Sequence, residues 1–181
     1  MPTINDGKTQ NAATVDDDFR LATFSVGEPV DAHINRENEK VWSIPFEGLN
    51  PTGADDYVIY IKNTGDKVIH ISDIRVMADT AVTQVELHSV SGTASGGSDV
   101  SPVPRTVGST QIPTATIQSG ADITGLTNDG IQFFIQCDTV NKEYHLSTSS
   151  RIRIPKGKAV ALLVETATAN ITGVVSLIEE E

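Results

Sequence analysis

β-Branched side chains set the terms on which this chain can fold. Ile and Val number 35 against 8 Leu, and Thr contributes 20 more. Such side chains are stiff at χ1, which disfavours a helix and suits the pleated surface of a sheet. Their spacing agrees with their type. Tyr57-Val58-Ile59-Tyr60-Ile61-Lys62 reads as a strand closed by the turn sequence Asn63-Thr64-Gly65-Asp66. Ile69 and Ile71 share a face of the next strand. The apolar positions then shift to Ile74 and Val76, a slip of one that a β-bulge near Ser72 absorbs. Val85 and Leu87 keep the period of two. So do Ile131, Phe133, Ile135 and Cys137, then Ile152 and Ile154. Pro155-Lys156-Gly157-Lys158 turns the chain into Val160, Leu162 and Val164, and a last strand runs from Asn170 to Ile178. No window keeps apolar residues at helical spacing over three turns. Strands at this spacing leave no room for crossover helices. They specify an all-β fold, an antiparallel β-sandwich of roughly eight to ten strands, with a jelly roll as the best fit.

Two stretches depart from this pattern. Residues 1–22 are polar, with few apolar anchors, and hold Asp16-Asp17-Asp18 and Arg20. They read as an extended N-terminal arm used in assembly, ahead of a single sandwich domain over 23–181. Residues 91–130 hold 7 of the 14 glycines and 3 of the 8 prolines, with charge only at Asp99, Arg105, Asp122 and Asp129. That is too long for a plain loop in a compact domain. The excursion either hides short strands, around Val100–Val103 and Ile112–Ile117, or needs a partner surface.

Charge and motifs exclude more than they suggest. The net charge is −11. Nucleic-acid binding relies on clustered Lys and Arg to displace counterions, so no nucleic-acid partner is expected. No apolar run is long enough for a membrane helix, and MPTINDGKTQ has neither the basic flank nor the apolar core of a signal peptide. One cysteine, Cys137, allows no disulfide framework and no cysteine zinc site. It falls on the apolar face of its strand, as a small buried hydrophobe. His33, His70, His88 and His145 lack ligand spacing, and His70 and His88 fall on polar strand faces, as surface histidines. Neither Asp16–Asp18 nor Asp55-Asp56 has the spaced oxygen pattern of a calcium loop. There is no G-x-S-x-G elbow, P-loop or G-x-G-x-x-G. No catalytic residue, metal or cofactor is therefore expected, and the chain does not read as an enzyme. A sugar-binding platform would have to use Trp42, Tyr57, Tyr60 or Tyr144, and Trp42, in Val41-Trp42-Ser43-Ile44-Pro45, reads instead as half buried in a strand.

One local basic patch remains. Arg151 and Arg153 alternate on a strand, with Lys156 and Lys158 at the turn beyond. It is either a solvated edge, where cations discourage strand pairing, or a docking stripe for an acidic segment. Asp16, Asp17 and Asp18, beside Arg20, are such a segment.

The segment from Tyr57 to Gly65, followed by Val68-Ile69-His70-Ile71-Ser72-Asp73-Ile74-Arg75, resembles a pattern in tailed-phage virion proteins. There an apolar strand ends in K/R-N-T/S and the next reads hydrophobic-H-I-x-x-I. Gly96-Gly97-Ser98-Asp99-Val100-Ser101-Pro102 is similar to their G-G-x-x-V-x-P loop, while Val103-Pro104-Arg105 replaces their N-L-N-like step. The resemblance implies a non-enzymatic head decoration, or cement, protein of jelly-roll type on the virion capsid surface, assembled in the host cytoplasm. Its implied partners are the major capsid protein and further copies of itself, in a trimer, with no membrane. The competing reading is a receptor- or carbohydrate-binding sandwich of a phage tail or fibre.

Overall fold

The computed structural model describes residues 3–5, 12–15, 21–22, 39–81, 83–167 and 169–180, with the backbone alone at 3–22 and 147–151. The chain divides into two compact units, Met1–Val30 and Asp31–Glu181. In the first, β1 (Thr3–Asn5), β2 (Ala12–Val15) and β3 (Leu21–Ala22) pair antiparallel in that order, with Ile4 opposite Ala13 and Val15 opposite Leu21. The stretch expected as an arm thus holds three short strands paired with one another.

The second unit is the sandwich. Its strands are β4 (Val41–Leu49), β5 (Asp56–Asn63), β6 (Ile69–Ala78), β7 (Thr83–Ser95), β8 (Ser98–Asp99), β9 (Val103–Pro104) and β10 (Ala115–Ser119). They continue through β11 (Thr124–Cys137), β12 (Tyr144–Ile154), β13 (Ala159–Val164) and β14 (Ile171–Glu179). One antiparallel sheet runs β11-β7-β13-β5-β10-β8 and the other β12-β6-β14-β4-β9. Without the short strands, each sheet has four, and the chain crosses between sheets at every step except from β7 to β11. That order is the jelly-roll arrangement. The aliphatic alternation builds the core between the sheets. Ile44, Phe46, Ile71, Ile74, Val76 and Leu177 come from one side, and Ile59, Ile61, Val85, Leu87 and Leu162 from the other.

The bulge lies where the alternation slips. Ile71 pairs with Leu177 and Ile152, and Asp73 with Ser176 and Ser147, so Ser72 is the residue left over on β6. The extra residue returns Ile69, Ile71, Ile74 and Val76 to one core face. Ile131 departs from expectation. A register shift between Ile131 and Phe133 leaves Ile131 exposed, while Ile135 and Cys137 stay in the core.

The excursion over 91–130 does hide strands. β9 pairs with β4 and β10 with β5, so it extends one edge of each sheet. It also covers an outer face. Ile123 N donates to Tyr57 O (2.8 Å) and Gly120 N to Val58 O (3.0 Å). Ile123 then packs with Tyr60, Val90, Ala159 and Ala161 in a second apolar cluster behind the six-stranded sheet. This second layer lies on the face that carries His88, whereas His70 is on β6 of the other sheet, and both correct the expectation of surface histidines. His88 is 3% exposed and His70 4%, so neither is a surface residue.

Cys137 is fully buried, and burial, reinforced by Asp138, pushes its thiol up to about 11. A folded-state pKa above the unfolded one means the fold holds the proton. This contribution to stability is therefore intact below pH 9 and is lost as pH rises through about 11. Roughly 3 kcal/mol is at stake over that window. Denaturant unfolding at pH 8 and pH 11 is expected to show this loss in the native chain and not in Cys137→Ala. A disulfide reagent at pH 8 is expected to label the thiol only at the rate of global opening.

Candidate interaction surface

Of the residues expected to form a docking stripe, the structure describes the side chains of Arg153, Lys156 and Lys158. Asp16, Asp17, Asp18 and Arg20 lie outside the described residues, as does the Arg151 side chain, whose backbone sits where β12 loses register with β6. Arg153 is opposite His70 and reaches Glu180 at 4.0 Å. Lys156 binds Asp66 of the turn between β5 and β6, and that hydrogen bond, with the ammonium charge behind it, holds the Asp66 carboxyl below the usual range. Lys158 is exposed and, among the described residues, has no ion-pair partner. It lines a cavity of about 290 Å³ together with Arg153. Two of the four expected cations therefore share one opening, and Lys156 is engaged inside the chain.

A second surface lies on the loop joining β9 to β10, which carries no charge from Thr106 to Ala121. Of the large apolar side chains that reach solvent, Val103, Val107 and Ile112 fall within ten positions, Ile112 at 74% exposure and Val107 fully exposed. The loop is pinned at both ends. Arg105 N donates to Val41 O (2.9 Å), and Arg105 Nη2 to Ser176 Oγ (2.9 Å). Trp42 Nε1 donates to Gln111 O (2.9 Å), and Thr114 N to Glu179 Oε2 (3.1 Å). Lys40 Nζ holds the other Glu179 oxygen at 3.6 Å. Inside the loop Ser109 N reaches Thr106 O and Gln111 N reaches Ser109 Oγ. Apolar side chains presented on a fixed, neutral backbone lose little entropy on docking, which is how an interface anchor works. The sequence marked the low charge of this stretch but not these side chains, because their exposure follows from anchors at Trp42, Ser176 and Glu179, all distant in the chain.

Trp42 does not serve as a platform. It is 1% exposed, beneath the loop that its indole holds, and Tyr60 is buried as well. Tyr144 is half-buried and hydrogen-bonded to Asp138. The face behind the six-stranded sheet holds a row of polar groups. Tyr57 Oη lies 3.0 Å from His88 Nδ1, and His88 Nε2 lies 2.6 Å from Glu86 Oε2. The row has the order of a relay ending in a nucleophile. Burial, then the charges of Glu86 and Asp129, push the Tyr57 phenol above its ordinary value, so the phenolate is suppressed, the opposite of an activated nucleophile. Among the described residues no three His, Cys, Asp or Glu side chains converge as a metal site. Compared with family models, with curated proteins and with solved structures, the chain matches none.

Proposed function

We propose that this protein is a non-enzymatic virion structural protein of a tailed phage. It decorates the capsid surface by docking on the shell of major capsid protein, and its pinned loop carrying Val107 and Ile112, with Val103 of β9 beside it, makes the contact. The single observation that supports this is the loop itself, where apolar side chains stand in solvent on a backbone held by hydrogen bonds at both ends. The jelly-roll strand order and the resemblance of residues 55–105 to virion proteins favour the same reading. Fold alone does not carry function.

Docking works through repetition. Burying one Val or Ile side chain contributes about 1.5–3 kcal/mol. A few of them against the cost of association give weak binding for one subunit. An oligomer that presents several loops to a repeating shell converts weak contacts into avidity. A charge in the loop would then be desolvated at each contact. Val107→Asp combined with Ile112→Asp is expected to lower shell occupancy at least tenfold, measured by quantitative mass spectrometry of purified particles. Both side chains are exposed, so the thermal midpoint should stay within about 2 °C of the native value. Native-like occupancy by this variant would remove the loop from the mechanism.

A further inference from the structure

The cavity of about 290 Å³ lies where the turn between β12 and β13 meets β7 and β11. Its apolar lining comes from Val90, Ile154, Ala159 and Val160, all buried. Its cationic lining comes from Arg153 and Lys158, both exposed, with Asp129 and Gln132 of β11 beside them. Such a site selects an apolar side chain flanked by carboxylates. The chain has two runs of three acids. In one, Glu179 is buried against Lys40 and Thr114 N, and Glu180 lies 2.6 Å from His70 Nε2. The other is Asp16-Asp17-Asp18, which leads directly into Phe19.

We propose that this cavity receives the segment Asp16-Asp17-Asp18-Phe19 of a second copy of the chain. Phe19 occupies the apolar floor, and the aspartates face Arg153 and Lys158. Two features favour a second copy over the same chain. Ile131 and Phe134, on the strand that supplies Asp129 and Gln132, are exposed. A four-residue segment cannot cover such an apolar surface, whereas the body of a partner can. The charge of −11 per chain also makes copies repel wherever acid meets acid, so their attraction concentrates where two cations line an opening. Arg153 is free to change partner, since its pair with Glu180 is solvent-exposed and held at 4.0 Å.

Sedimentation of the full chain tests this. Native protein is expected to self-associate, and more weakly as salt is raised. Arg153→Glu with Lys158→Glu in one chain, and Asp16→Lys, Asp17→Lys and Asp18→Lys in another, should each weaken association by about tenfold or more. A mixture of the two reversed chains should associate again with near-native affinity. Circular dichroism checks that both variants are folded, and the Arg153 and Lys158 changes fall on exposed side chains. The proposal is overturned by a monomeric native chain, by reversed chains that associate as the native chain does, or by a mixture that fails to recover. The last outcome would mean that the segment binds within its own chain or not at all.

Discussion

Gly173→Ala is expected to lower the thermal midpoint by roughly 10 °C, a loss of about 3 kcal/mol. Gly173 sits on β14, in the middle of the five-stranded sheet, opposite Phe46 on β4 and Val76 on β6. A Cβ there would stand 2.1 Å from Arg75 O and 2.7 Å from Phe46 Cζ. The carbonyl belongs to the backbone of a paired strand and cannot retreat without opening the ladder. The ring is 5% exposed and packed in the core. Neither neighbour gives way cheaply, so the strands themselves must separate. Gly48→Ala is the matched control. Gly48 has φ +60° and no neighbour within 4 Å of the added carbon, so only the left-handed backbone resists, at about 1 kcal/mol. Calorimetry of both variants checks the contrast. Equal losses would mean that the close approach of β14 to β6 is wrong.

His88→Ala is the second large effect, expected to cost about 3 kcal/mol or more. His88 is the inner link between Tyr57 and Glu86, and the ring lies edge-on to Tyr57. Removing it strips Glu86 Oε2 of its 2.6 Å partner. Gln84 Nε2 remains on Oε1 at 2.7 Å. A buried carboxylate with one oxygen unpaired is costly, whereas removing both partners is less so. Glu86→Leu with His88→Leu should therefore cost less than the sum of the single changes, with a coupling of about 1–3 kcal/mol by denaturant unfolding. Asp66→Ala, which breaks the solvent-exposed pair with Lys156, should leave the denaturant midpoint essentially unchanged. Additive losses at Glu86 and His88 would show that the row is not one unit.

Periodicity carried most of the fold into the sequence. Alternation placed the long strands, and a slip of one residue located the bulge at Ser72, because a single insertion leaves its trace in the phase of the aliphatics. Cys137 was legible for the same reason. What alternation could not reveal was a second layer. His88 alternates as a solvent-facing residue, and it is buried because the excursion returns over that face with Ile123. The exposed Ile131 shows the converse, since the irregularity beside it left no mark in the run Ile131 to Cys137. Trp42 reads from its strand context as half buried rather than as a platform, and the loop at Gln111 completes its burial.

The site was less legible than the fold. Arg153 and Lys158 were found from local spacing, and they do share an opening. Lys156 has its charge matched by Asp66, 90 positions away in the chain. The apolar loop went unnamed because Val103, Val107 and Ile112 follow no period. Their exposure depends on which carbonyls and hydroxyls fasten the backbone between them. Surface identity of this kind is a tertiary property, and a low density of charge was its one local sign.

Imaging of the particle that carries this chain, at a resolution sufficient to orient the two sheets, bears most directly on shell docking. Sandwich density is expected at repeating positions over the outer capsid surface, with the loop bearing Val107 and Ile112 turned towards the shell. Density confined to a tail tip or fibre, or sandwiches on the capsid with that loop facing solvent, would contradict it.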